Sequence, residues 1–384
     1  MSGRYWPGRG ALAASYRIMF PLTAIWAALS VAIWHVLPTS LDQVADPYLW
    51  HVHEMTFGFG AAALLGYLPS ACSSWTGRAP VSGAAVALLA GLWGVARLSM
   101  LISDMLPLAW LASANAAVFW ALALVLAREG IRGATAKIWA YVGFLCLAGG
   151  ASGTVLVGSV LGGGFDAAPL LAPLLFAALL VVVGGRMVFG FLKSDASRRG
   201  RAAGRDLPLL GWIGAAALGL AAALLIWGRD ELAGFALLTA ALSQAVRLPT
   251  WSLGRAHREP LLLMLALGFL WLPLGLGLWG TALIGVDLVA SPNAIHAMIM
   301  GAMSSLIMAV AARPVARRGA LGLEARPWML PAFGCLQAAI VMRVAGWQDA
   351  AVLAWSLAWL LFLAGLLTRC HDPVPRPIFS GSRR

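Results

Sequence analysis

The sequence predicts an all-α membrane protein, one bundle of about twelve transmembrane helices, and three observations carry that prediction. Hydrophobic residues make up 61% of the 384-residue chain and charged residues only 11%, more apolar surface than a soluble domain of this size can hide. The apolar residues come in runs of roughly 18–25, the length a helix needs to cross a hydrocarbon core about 30 Å thick. The basic residues fall in alternate connections between those runs, which is the positive-inside bias.

Taken in order, the spans read 18–37, 50–71, 81–101, 107–127, 138–160, 169–192, 208–228, 231–250, 260–285, 291–312, 328–345 and 349–368. The first follows Arg4, Arg9 and Arg17 and lacks a small-x-small cleavage pattern, so it reads as an uncleaved span rather than a removed signal. Arg78 follows the second span, and Arg128, Arg132 and Lys137 follow the fourth. Lys193, Arg198, Arg199, Arg201 and Arg205 follow the sixth. Arg247, Arg255 and Arg258 mark the end of the eighth, and Arg313, Arg317, Arg318 and Arg326 the end of the tenth. Arg369, Arg376, Arg383 and Arg384 come after the twelfth. Of the 27 Lys and Arg, only Arg97, Arg186, Arg229 and Arg343 lie elsewhere. The pattern places both termini in the cytoplasm. The formal charge of +12 is therefore a topology signal and excludes a nucleic-acid reading. The fourth, seventh and eighth spans rest on short connections such as Gly228-Arg229-Asp230-Glu231.

The chain reads as a single transmembrane domain, with two possible halves, 1–192 and 208–368, joined by the basic cytoplasmic segment 193–207. No clear repeat relates them. Residues 369–384, with three prolines from Pro373 onward, read as a flexible, unpacked tail. The cysteines Cys72, Cys146, Cys335 and Cys370 have no CxxC spacing and fall in no outer loop, so neither a disulfide framework nor a zinc ribbon is expected. The 43 glycines suit close helix packing in lipid. Trp34, Trp50, Trp75 and Trp139 near span ends read as interface anchors.

Ionisable groups are costly inside a bilayer, so the histidines carry information. Of the six, His35, His51, His53 and His296 fall at the outer ends of spans, whereas His257 and His371 fall in cytoplasmic segments. Below His296, Met300 and Met303 follow at i+4 and i+7, one face of an α-helix. An imidazole over two thioethers is a soft set for Cu(I) or an axial set for haem, although methionines also simply fill gaps. In Trp50-His51-Val52-His53-Glu54-Met55, a helix would aim the two imidazoles in nearly opposite directions. One metal could take both only if the stretch were extended, which Pro47 permits by disfavouring helix before it. Glu54 reads either as the partner that fixes a histidine tautomer or as a first-turn acid favoured by the helix dipole. Arg186, after Gly184-Gly185, suits an anion such as a haem propionate or lipid head, or snorkels to the interface. Asp104, Asp166 and Asp287 read as water-facing residues of outer connections.

The stretch WHVHEMTFGFGAAALLGYL, followed by WTGR at 75–78, resembles the NnrS family of bacterial inner-membrane proteins. The resemblance continues with GGR at 184–186, EPLLLMLALGFLWLPLGLGL at 259–278 and HAMIMGAMSSLIMAVAAR at 296–313. It implies a twelve-helix inner-membrane protein holding haem and copper, linked to nitric oxide metabolism and tolerance of nitrosative stress. Nitric oxide or iron-nitrosyl species would then be partners besides the lipid bilayer. The motifs carry over His51, His53, Glu54 and His296. The pattern departs at Ala266, which stands where a histidine falls in the family, and in the Arg317-Arg318-Gly319 segment, which has arginines near another expected histidine. Two other readings stay open: a cofactor-free secondary transporter, for which few acidic residues within the spans are available, and a degenerate family member with an assembly or copper-handling role. No catalytic acid or base is assignable, so whether the chain is an enzyme stays open too.

Overall fold

The structure is a computed structural model, and it describes all residues except 1–4, 7, 9, 36–40, 42, 43, 45, 162–166, 253–255, 257, 287, 321 and 382–384. Asp166, Asp287 and His257 therefore lie outside the described residues. Every predicted apolar run is a helix: α1 (Tyr16–His35), α2 (Pro47–Thr76), α3 (Ala84–Leu101), α4 (Leu108–Arg132), α5 (Ala136–Gly158), α6 (Ala168–Arg198), α7 (Pro208–Ile226), α8 (Asp230–Trp251), α9 (Pro260–Leu283), α10 (Ser291–Val315), α11 (Met329–Val344) and α12 (Gln348–Leu367). Eleven are long and apolar enough to cross a membrane; α11, with 16 residues, is shorter. At 1.5 Å per residue it covers about 24 Å. The chain is thus an all-α multi-pass membrane protein.

The ends of the helices follow local chemistry. Pro47 takes the first position of α2, and the Asp46 side chain accepts a hydrogen bond from Leu49 N at 3.0 Å, a cap that starts the helix upstream of the expected position 50. The same helix stops at Gly77, whose φ of 69° reverses the chain. Helix α6 continues into the basic segment as far as Arg198, where Asp195 pairs with Arg198 and Arg199 one turn on.

Three spans are not α-helical throughout. Residues 54–58 of α2, 180–184 of α6 and 297–303 of α10 are π-helical. These turns reach i+5 instead of i+4, widen the helix locally and recur at functional sites. Each falls in or against one of the motifs read from the sequence. That coincidence was not visible in the residue pattern.

The chain forms two compact units, the first comprising residues 1–172 and 359–382 and the second residues 173–358. In the first, α1 packs on α2 and α4 on α5, around Phe20, Phe57, Phe59, Phe119 and Trp359. The C-terminal segment also packs here, contrary to the expectation of a free tail over 369–384. Val374, Ile378 and Phe379 are buried, Trp6 N donates to Val374 O at 2.8 Å, and Phe379 packs against Phe20 and Tyr67. Prolines exclude helix there but leave these three apolar side chains able to cover a core. In the second unit α8 packs against α7 and α9, and α9 against α10. Contact is closest where Gly275 faces the Met298 backbone and Gly234 faces Gly280. After α10 a two-stranded hairpin, β1 (Arg317–Gly319) with β2 (Gly322–Glu324), pairs Arg317 with Glu324.

Candidate functional site

In the first unit the WHVHEM motif sits on regular helix up to His53, so the extended alternative is not adopted and the two imidazoles part company. His51 stacks on Trp34 of α1, ring centroids 4.8 Å apart and planes 25° from parallel. His35 closes the same helix one residue further on, half-buried. His53 is fully buried. Its Nε2 meets Ser152 Oγ of α5 at 2.9 Å, and its Nδ1 lies 3.5 Å from Glu54 Oε1. Phe57 packs beside the ring, centroids 5.2 Å apart.

Glu54 opens the π turn and is fully buried, so it is not a first-turn acid facing water. It forms an ion pair with Arg97 of α3, itself only 3% exposed. Arg97 also donates to Asn115 Oδ1 of α4 at 2.5 Å, and Asn115 Nδ2 is held by Leu111 O at 2.9 Å. A chain of polar contacts thus runs Asn115–Arg97–Glu54–His53–Ser152, contributed by α4, α3, α2 and α5. Burying two charges is costly unless they are paired and hydrogen-bonded, and here Glu54 and Arg97 are paired with each other.

Gly58, at the end of the π turn, makes room for it. A Cβ there would lie 2.6 Å from Arg97 Nη1, 2.7 Å from Glu54 Oε2 and 3.0 Å from Trp26 Nε1. Trp93 Nε1 donates to Gly58 O at 2.9 Å. Satisfaction of the network is incomplete: Glu54 Oε2, Arg97 Nε, Trp26 Nε1 and Trp50 Nε1 are buried with no hydrogen-bond partner among the described residues. Native interiors rarely leave such atoms unpaired, and each exception asks for a reason.

The second unit holds His296, Met300 and Met303. His296 Nδ1 lies 2.6 Å from Pro292 O. A backbone carbonyl on Nδ1 selects the tautomer whose Nε2 carries the lone pair, the arrangement found behind metal-bound imidazoles. Because residues 297–303 are π-helical, Met300 and Met303 do not keep the α-helical i+4 and i+7 alignment with His296. Met303 is buried, and Met300 is half-buried. Nearby, Trp271 of α9 lies over Gly301 and donates to Gln337 Oε1 of α11 at 2.9 Å. Gln337 in turn donates to Ser305 Oγ at 2.8 Å.

Arg186 is exposed and lies over the ring of Trp212, 5.4 Å from its centroid. The buried arginine beside the GGR motif is a different one, Arg247 of α8, 1% exposed. It grips both oxygens of Asp206 at 2.9 and 3.1 Å and donates to Val181 O at 2.8 Å, a carbonyl of the π turn. Gly185 and Gly211 form its cradle, since a Cβ on either would lie 2.4 or 2.9 Å from Nη1. Trp251 Nε1 completes the pair by donating to Asp206 at 3.0 Å. Burial raises the Asp206 pKa, but the hydrogen bonds from Arg247 and Trp251 outweigh it and hold the carboxyl below the usual carboxylate value.

Sequence reasoning named His53 and Glu54 but missed Arg97, Asn115, Ser152 and Trp26 as their partners. Single polar residues inside apolar runs were the available signal, and helix pairing was the missing information. Arg97, one of the four basic residues outside the basic connections, is part of the buried network. His51 and His53 belong to the first unit and His296 to the second. Among the described residues no three His, Cys, Asp or Glu side chains gather as a metal cage.

These features define a class: a multi-pass helical membrane protein whose spans bury ionic networks beside π turns. A model of the NnrS protein family matches residues 11–370, and the chain belongs to that family. No curated protein matches it.

Proposed function

We propose that this protein binds haem, with copper as a second metal, and handles nitric oxide or its iron-nitrosyl products in the bacterial inner membrane, with both termini in the cytoplasm. Membership of the NnrS family supports this reading, and one observation carries it to particular residues. His53, buried in a membrane span, has its Nδ1 facing a carboxylate that an arginine locks in place, the support that metal-bound histidines use. The donor chemistry fits haem better than a protein-built cage. A porphyrin supplies most of the iron's ligands and asks the chain for one or two, which suits scattered imidazoles rather than clustered ones.

His53 and His51 of the first unit are the imidazoles that would hold it, and in the second unit His296 with Met300 and Met303 offers the softer donors that would suit copper. Haem iron supplies affinity for diatomic ligands. The chain's own contribution is orientation and exclusion. Glu54 fixes the His53 ring, Arg97 balances the carboxylate, and Ser152 occupies Nε2 until a ligand replaces it. Phe57, Phe59 and Phe119 exclude water from the neighbourhood, and an apolar surround favours an uncharged gas over ions. Arg186 offers a cation to an anionic substituent such as a propionate.

The test is a visible spectrum and metal analysis of the protein purified in detergent after expression with ample haem. We expect a Soret band that shifts on adding nitric oxide and that is lost or displaced in His53→Ala, and bound copper that is lost in His296→Ala. A protein with neither Soret band nor copper would overturn the proposal and favour a cofactor-free carrier.

A further inference from the structure

We propose that the first unit carries a separate site for a phosphate group, in a pocket where α2 ends, α3 begins and α4 ends. The cavity measures about 420 Å³ and is lined by Arg78, Arg128, Arg132, Ser82 and Glu129 over an apolar floor that includes Val125. Three arginines against one glutamate leave the lining with a net positive charge. Glu129 is engaged by Arg78, whose Nε lies 3.2 Å from Oε2. Arg128 and Arg132 have no ion-pair partner among the described residues.

The arrangement costs stability unless an anion joins it. Arg128 and Arg132 stand four residues apart on one face of α4, where like charges repel. Two helix ends meet here, Arg78 following α2 and Arg128 and Arg132 closing α4, so helix dipoles favour the cations but leave their mutual repulsion uncompensated. The site is also held in shape. Gly77 reverses the chain after α2 with φ 69°. Gly133, after α4, lies so close to the Thr76 side chain that a Cβ would approach within 2.5 Å.

Position says what kind of anion fits. The apolar helices α2, α3 and α4 stop or start at Thr76, Ala84 and Arg132, so the arginines mark the edge of the hydrocarbon layer. A charged rim over an apolar floor suits a phosphodiester headgroup with the start of its acyl chains, and basic pockets between spans bind such lipids. A free phosphate ion shares the chemistry of the rim but not of the floor.

The full chain in nanodiscs of phosphatidylcholine, with and without an equal share of phosphatidylglycerol, separates these sources. Thermal unfolding and native mass spectrometry are the readouts. We expect phosphatidylglycerol to be retained and to raise Tm. Affinity should fall about fivefold for each arginine removed in Arg128→Gln and Arg132→Gln, and the paired Lys variants should restore most of it. Both side chains are exposed, so the substitutions leave packing intact. Inorganic phosphate added to phosphatidylcholine discs, if it raises Tm in wild type and not in the double Gln variant, keeps the site and identifies a soluble phosphate as its occupant. No response to either probe, or equal responses in wild type and the double variant, would overturn the proposal.

Discussion

Two arginines are buried in this protein by the same device and to different ends. Arg97 in the first unit and Arg247 in the second each lie beside a π turn, against a glycine that leaves no room for a Cβ, and each pairs with an acid. Every nitrogen of Arg247 has a partner: two bonds go to Asp206, one to a carbonyl of the π turn and one to Gln244, with Trp251 sharing the acid. The Arg97 network leaves Glu54 Oε2, Arg97 Nε and Trp26 Nε1 without partners. A fully satisfied polar network rigidifies and specifies packing, whereas an unsatisfied one is a reservoir for function. The difference is thus one of completeness, and it sets a structural staple against the network that the proposed haem site would use.

The sharpest way to break the comparison is to remove the staple. Arg247→Leu leaves Asp206 half-buried without its cation and should cost about 3 kcal/mol, read as a lowered Tm in detergent. The spectrum of whatever protein remains folded should stay as in wild type. A changed spectrum would show that Arg247 belongs to a functional site after all.

Next in size is Gly58→Ala. The added methyl collides with Arg97 and Glu54, an overpacking worth about 2 kcal/mol. It should displace Glu54 from His53 and, with haem bound there as proposed, move the Soret maximum, whereas Gly185→Ala should lower Tm and leave the band in place. Equal spectral effects from both glycines would erase the distinction between the two networks.

The smallest effect is one of pH. The folded pKa of Asp206 lies below its ordinary value of 3.8, so the unfolded chain takes up the proton first. Its contribution is complete above that ordinary value and disappears as pH falls through the lower, folded one. Wild-type Tm should therefore decline below about pH 4, and Asp206→Asn should lack that component of the decline. An identical acid profile in the variant would remove Asp206 from the account.

Much of the fold was legible because hydrophobic length is a one-dimensional property. A run near 20 apolar residues becomes a helix wherever it is inserted, since only a helix satisfies its own backbone in lipid, and all twelve runs did so. The exceptions have local causes. α2 starts early because Asp46 and Pro47 cap it, and the terminal segment packs because Val374, Ile378 and Phe379 find a core that no pattern within the tail announces. The site was only half legible. WHVHEM stands out by composition, and its helical geometry correctly separates His51 from His53, but the alignment of His296 with its methionines assumes an α-helix where the chain forms a π turn.

What the sequence determined by itself is the number and order of the helices, the alternation of basic connections and the motif that places His53 and Glu54 on an apolar helix. These follow from chain-local rules of length, charge and capping. Only the tertiary structure decided that Arg97, Asn115 and Ser152 meet that motif from three other helices. It also decided that Arg247 rather than Arg186 fills the glycine cradle at GGR. Such pairings depend on which helix faces which neighbour, and lipid, being as apolar as the side chains it touches, supplies no pattern from which to read them.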